Sequence, residues 1–188
     1  MSKIGMWKGL ILLGIAALIG IPAGMAQGAE ETDYIIGPGD VLIVSIWKDE
    51  ALTREVTVLP DGTISFPLVG EFTAAGKTVK ALKTDIEERI KRYVPDPILS
   101  VSVKSVNSMF IYVIGRVNIP GRYILNSRVN VLQGLAMAGG LNPFANNNSI
   151  KIICSDGVIL NFRYNDVAKG KHLEQNILLK RGDVILVP

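Results

Sequence analysis

Gly37-Pro38-Gly39-Asp40-Val41-Leu42-Ile43-Val44 has a near copy at the far end of the chain, Arg181-Gly182-Asp183-Val184-Ile185-Leu186-Val187. Each is a Gly-Asp turn followed by a β-branched apolar run, the pattern of a turn that launches a buried strand. The two copies bracket the sequence between them. They suggest two small units, each using one Gly-Asp-Val strand, although a turn of such common chemistry also recurs by chance.

Working outward from the first copy, Leu42, Val44 and Ile46 share one face of a strand expected over Val41 to Trp47. Val56 to Leu59 and Thr63 to Phe66 are expected to form a β-hairpin across Asp61-Gly62, whose glycine supplies the positive φ such a turn needs. Gly70 to Gly76 reads as a second turn-rich passage. A helix follows from Thr78 to Tyr93, because Val79, Leu82, Ile86, Ile90 and Tyr93 recur at helical spacing. Thr78 is its expected N-cap, and Pro95 and Pro97 end it. Asp85 with Arg89, Glu87 with Lys91 and Glu88 with Arg92 are acid-before-base pairs one turn apart on the solvated side. Leu99, Val101 and Val103 then alternate with Ser100, Ser102 and Lys104, the mark of a half-exposed strand.

The second unit opens with Phe110 to Gly115, a run apolar enough for a strand buried on both faces or nearly so. Pro120-Gly121 turns the chain into a strand over Arg122 to Leu125. Asn130 and Gln133 have capping-box spacing for a short helix over Val131 to Ala138, which Gly139-Gly140 stops. A polar loop over Asn142 to Ser149 leads to strands at Ile150 to Cys154, Val158 to Phe162 and Val184 to Val187, with Asp156-Gly157 turning the first two. The expected class is α+β: two small mixed domains, residues 32–106 and 107–188, behind a leader over residues 1–29.

That leader has Lys3 and Lys8, an uncharged run from Gly9 to Ile21, and small residues up to Ala29 before Glu30-Glu31. This is the build of a secretory signal peptide cleaved after Ala26 or Ala29, and the apolar run is short against the roughly 20 residues of a membrane span. Removing Lys3 and Lys8 leaves 18 basic against 17 acidic residues, +1 in place of +3. Nucleic acid is thereby excluded as a partner, since phosphate binding needs concentrated positive charge. The single cysteine, Cys154, allows no intramolecular disulfide and sits in an apolar run, so it reads as a structural thiol.

Several ordered motifs carry a family resemblance. Tyr34 to Leu42, Val58-Leu59-Pro60-Asp61-Gly62-Thr63-Ile64, Gly76-Lys77-Thr78-Val79 with its helix, and Asp96-Pro97 resemble the polysaccharide export domain of the Wza-type polysaccharide exporters. Val113 to Tyr123, Ala136-Met137-Ala138-Gly139-Gly140-Leu141 and Arg181 to Ile185 resemble the β-grasp-like SLBB domain that follows it in that family. The resemblance implies an exported, homo-oligomeric ring in the periplasm, associated with the outer membrane, through which a capsular or exopolysaccharide passes. It also implies contact with an inner-membrane polysaccharide copolymerase. Members often carry a lipidated N-terminal cysteine and a C-terminal amphipathic helix, and neither is found in these 188 residues. A separate outer-membrane β-barrel protein is therefore expected to complete the conduit.

Residues that could carry chemistry are few. Asp40, Asp61, Asp156 and Asp183 all neighbour glycine, where a side chain bonded to the turn backbone explains them better than acid-base work. His172 lacks a triad context, Gly115 to Gly121 lacks the ending of a phosphate loop, and Asn147-Asn148-Ser149 fits a glycosylation sequon only formally. No catalytic, cofactor or metal residue is assigned. Trp47, Tyr112, Tyr123 and Tyr164 could stack on sugars, although packing is the commoner fate of such aromatics. Two readings stay open: a passive polysaccharide export component, or a soluble periplasmic carbohydrate-binding adaptor or sensor. Oligomeric state separates them. An exported enzyme ranks third, for want of a nucleophile, base or metal cluster.

Overall fold

Val41–Ile46 forms strand β1, with Leu42, Val44 and Ile46 turned into the core and Val41, Ile43 and Ser45 half-exposed on the other face. A computed structural model describes residues 33–188; the signal-peptide reading lies outside the described residues. Strand β2 (Asp49–Thr57) pairs antiparallel with one edge of β1, and β5 (Leu99–Ser105) pairs antiparallel with the other. Strands β3 (Thr63–Phe66) and β4 (Gly70–Thr73) make a separate two-stranded sheet. Helix α1 (Val79–Ile90) buries Leu82, Ile86 and Ile90, and the Thr78 side chain accepts a hydrogen bond from the Ala81 N–H as the N-cap should. These residues join Ile36, Ile64 and Phe66 in one core cluster, each fully buried side chain contributing about 1.5–3 kcal/mol.

The remaining chain builds a five-stranded sheet in the order β7-β6-β10-β8-β9. Its strands are β6 (Phe110–Gly115), β7 (Gly121–Ile124), β8 (Ile150–Ile153), β9 (Ile159–Phe162) and β10 (Val184–Val187). Strand β10 runs parallel to β6 and antiparallel to β8, so the last strand of the chain fills the middle of the sheet. Helix α2 (Val131–Met137) has the full capping box: Asn130 accepts from the Gln133 N–H, and Gln133 accepts from the Asn130 N–H. It packs Val131 and Leu135 into a second core with Ile111, Val113, Ile152, Phe162 and Ile185. The two cores share no residue, although residues 33–188 form one compact unit, and the class is α+β.

Five expectations change. Val56 does not enter a hairpin with Thr63 to Phe66: β2 pairs with β1, β3 pairs with β4, and only the turn bonds Leu59 N to Thr63 O and Gly62 N to Leu59 O survive at Asp61-Gly62. Gly70 to Gly76 is a strand followed by a turn. Strand β6 is buried on one face only, since Tyr112 and Ile114 stand exposed. Tyr93 lies past the end of α1 and is exposed, and Glu87 pairs with Lys83 at 3.5 Å, while Asp85 holds Arg89 as expected. A short helix α3 (Tyr164–Ala168) and a single turn of tight helix at Leu173–Gln175 carry no long apolar stripe, and the sequence pattern holds no sign of them.

Candidate functional site

The two Gly-Asp turns share one plan. Gly39 and Gly182 both take the positive φ, +92° and +84°, that other residues adopt only under strain. Asp40 Oδ2 accepts from the Gly37 N–H at 2.8 Å, and Asp183 Oδ2 accepts from the Lys180 N–H at 2.7 Å, each three residues upstream. Each aspartate's other oxygen then caps the exit of the strand antiparallel to the one the turn launches. Asp40 Oδ1 accepts from Asn107 N–H (2.9 Å) and Ser108 N–H (2.8 Å), just beyond β5. Asp183 Oδ1 accepts from Ser155 N–H (3.0 Å), just beyond β8. The turn role expected for both aspartates holds, and it extends to tying strands together.

Asp40 carries more than its counterpart. Tyr34 Oη donates to its Oδ2 at 2.5 Å and Ser108 Oγ at 2.9 Å, while the Asn107 amide donates to Gly39 O. Burial works to raise the Asp40 pKa, but the hydrogen bonds from Tyr34, Gly37 and Ser108 together outweigh it and hold the carboxylate below its usual range. Tyr34 is pushed up to about 12, by burial first and by its bond to Asp40 second. Asp40 and Ser108 have almost no exposed surface, so this is a closed joint and not a catalytic dyad open to substrate. Beside it Arg181 donates to Ile35 O at 2.7 Å. Tyr34, Asn107 and Ser108 are the partners that the sequence does not reveal.

The other candidates stay apart. His172 is exposed and meets only Glu174, at 3.1 Å. Burial, then the charges of Asp183 and Asp156, push the Cys154 thiol up, away from a reactive thiolate. Among the described residues no three His, Cys, Asp or Glu side chains gather as a metal site. A groove of about 370 Å³ along α1 is lined by Leu68, Tyr93 and charged groups, of which Asp85 is already paired with Lys77 and Arg89. Of the four aromatics, Trp47 is 67% exposed at the end of β1 and Tyr112 is exposed on β6, while Tyr123 and Tyr164 pack partly against the second core. They lie on separate elements. Among the described residues no helix is long and apolar enough to cross a membrane, which says nothing of membrane strands.

Residues 28–104 match the family profile described as polysaccharide biosynthesis/export protein. The chain is 27% identical to the EPS I polysaccharide export outer membrane protein EpsA of Ralstonia nicotianae, over 85% of this chain and 48% of that protein. It is 26% identical to the capsule polysaccharide export outer membrane protein CtrA of Neisseria meningitidis, over 78% of this chain and 42% of that protein. With the polysialic acid transport protein KpsD of Escherichia coli the identity is 30%, over 59% of this chain and 20% of that protein. The chain thus spans about half or less of the length of the curated relatives it matches. All three are named for moving polysaccharide, and the family-matched segment contains β1, its Gly-Asp turn and α1. Over residues 28–104, then, the chain is similar to the polysaccharide biosynthesis/export family, and the relatives it matches more widely are named as polysaccharide export proteins.

Proposed function

We propose that this protein is a periplasmic component of a capsular or exopolysaccharide export conduit at the outer membrane, and that it moves polymer passively through a homo-oligomeric ring. The observation that carries this reading is the run of export relatives over up to 85% of the chain, on top of the family match at residues 28–104. In this reading residues 32–106 are the polysaccharide export domain and 107–188 a β-grasp-like SLBB domain, joined at Asp40, Asn107 and Ser108. The mature chain begins at Gln27 or Glu30 after signal-peptide cleavage. An inner-membrane copolymerase delivers the polymer, and an outer-membrane β-barrel completes the path.

A ring needs each subunit to contact the next through a heterologous interface that closes. Native mass spectrometry of the exported protein should therefore give a species several times the mass of one mature chain. A strict monomer with and without detergent would favour a soluble carbohydrate-binding adaptor.

A further inference from the structure

The two sheets turn very different faces to solvent. On the outer face of the β2-β1-β5 sheet, Ser45 lies opposite Ser100 and Ile43 opposite Ser102, with Thr53 Oγ1 3.3 Å from Ser45 Oγ. Lys104 and Glu55 pair across the same face and cancel each other's charge. Trp47 follows β1 in a turn, two residues beyond Ser45. Its N–H donates to Ile98 O at 2.9 Å, which fixes its backbone while the indole stays 67% exposed. On the outer face of the five-stranded sheet the pairing register instead lines up Arg122, Tyr112, Val184, Ile153 and Ile159 in one row. That row is apolar apart from one cation.

We propose that the outer face of the β2-β1-β5 sheet is the surface along which the exported polysaccharide passes, with Trp47 as its stacking platform and Ser45, Ser100 and Ser102 as a hydroxyl track. This rests on the export function proposed for the chain. A pyranose unit has an apolar C–H face and a rim of hydroxyls. An exposed indole covers the first, as a large, rigid apolar plane with one polar edge. Serine and threonine hydroxyls exchange bonds with sugar hydroxyls and with water at nearly equal free energy, so the chain is wetted without being held. The apolar row on the second sheet fits this requirement less well, since sugar hydroxyls desolvated against it would find no partner short of Lys151 and Asn161 in the next row. The groove along α1 fails it, because the charged side chains Asp85, Glu88, Arg89 and Arg92 line most of it and would hold polar groups in place of wetting them.

The test is photo-crosslinking of the full chain in cells that make and secrete their own polymer, comparing Trp47→benzoylphenylalanine with Ile159→benzoylphenylalanine. Irradiation should give a sugar-staining adduct from position 47 and none from position 159. Ser100→benzoylphenylalanine, on the outer face of the β2-β1-β5 sheet, serves if the Trp47 variant does not restore secretion. Only protein adducts from the first-sheet positions, no adduct there during active secretion, or equal sugar capture at position 159 would overturn the proposal. Secretion by cells lacking the chain is read in parallel. If it is unchanged, the export function itself fails; if it falls while position 47 captures only protein, that function stands and this face is not the track.

Discussion

Asp40 and Asp183 accept the same backbone bond from three residues upstream, yet they reach different distances along the chain. Asp183 ties its turn to Ser155, within the β8 to β9 hairpin of its own sheet. Asp40 ties its turn to Asn107 and Ser108, the residues that lead from the first core into the second. One local motif therefore does two jobs, set by the segment that leaves the neighbouring antiparallel strand: a tight turn in one case and the passage between cores in the other. The neighbours on the opposite side differ as well. Asp40 O accepts from Val58 N–H, next to the antiparallel β2, whereas Asp183 O accepts from Tyr112 N–H in the parallel β6.

Because of that difference in reach, Asp40→Ala is the most damaging of the paired substitutions. It strips the acceptor from three backbone N–H groups and from two hydroxyls at once, and a buried donor left unpaired costs about 1–3 kcal/mol. A loss of about 3 kcal/mol, allowing for relaxation and water entry, corresponds to a melting temperature lower by about 10 °C for a chain of this size. Hydrogen-exchange protection at β1 and β5 follows the first core and that at β6 and β10 the second. Both should lose protection in Asp40→Ala.

Asp183→Ala should cost less, about 2 kcal/mol, because fewer donors are orphaned. Hydrogen exchange should accelerate at β8 and β10 while β1 and β5 stay protected. Equal acceleration in both sheets would erase the distinction between the two turns.

Titration sharpens the same comparison. The Asp40 carboxylate is held below its ordinary pKa in the fold, so its contribution is complete above the unfolded value of about 3.9 and is lost as pH falls through the lower folded value. Tyr34 is raised from 10.0 to about 12, so its contribution is complete below 10 and is lost as pH rises towards 12. Asp40→Asn should therefore flatten the acid limb of a stability-against-pH curve, and Tyr34→Phe the alkaline limb. Unchanged limbs in both variants would mean that the joint does not stabilise the fold.

The smallest expected effect is at a helix start. Asn130→Ala breaks the capping box of α2 at a cost of about 1 kcal/mol, and should leave the first core untouched in hydrogen exchange.

How much of the fold is legible in the sequence depends on the range of the forces involved. Thr78, Asn130 and Gln133 act on backbone groups three residues away, so their spacing alone places the starts of α1 and α2. The buried stripe Leu82, Ile86 and Ile90 and the alternation of β1 are likewise local patterns. The pairing of β2 is not legible, because Asp61-Gly62 is a genuine turn whose flanking strands find other partners, and only tertiary packing decides that. The repeat of Gly-Asp-Val points to two strand-launching turns, but the reach of Asp40 over 67 and 68 residues to Asn107 and Ser108 has no local signature. Trp47 can be named as a sugar-stacking candidate from its residue type; its exposure depends on where β1 ends.

Polysaccharide export is tested most directly by deleting this protein from cells that produce the polymer and measuring polysaccharide in the periplasm and at the surface, with the full chain restored as control. Export by this protein predicts that synthesis continues, surface polymer falls sharply, periplasmic polymer rises, and the restored chain reverses both. Surface polymer that stays at the parental level, with none accumulating inside, would contradict it.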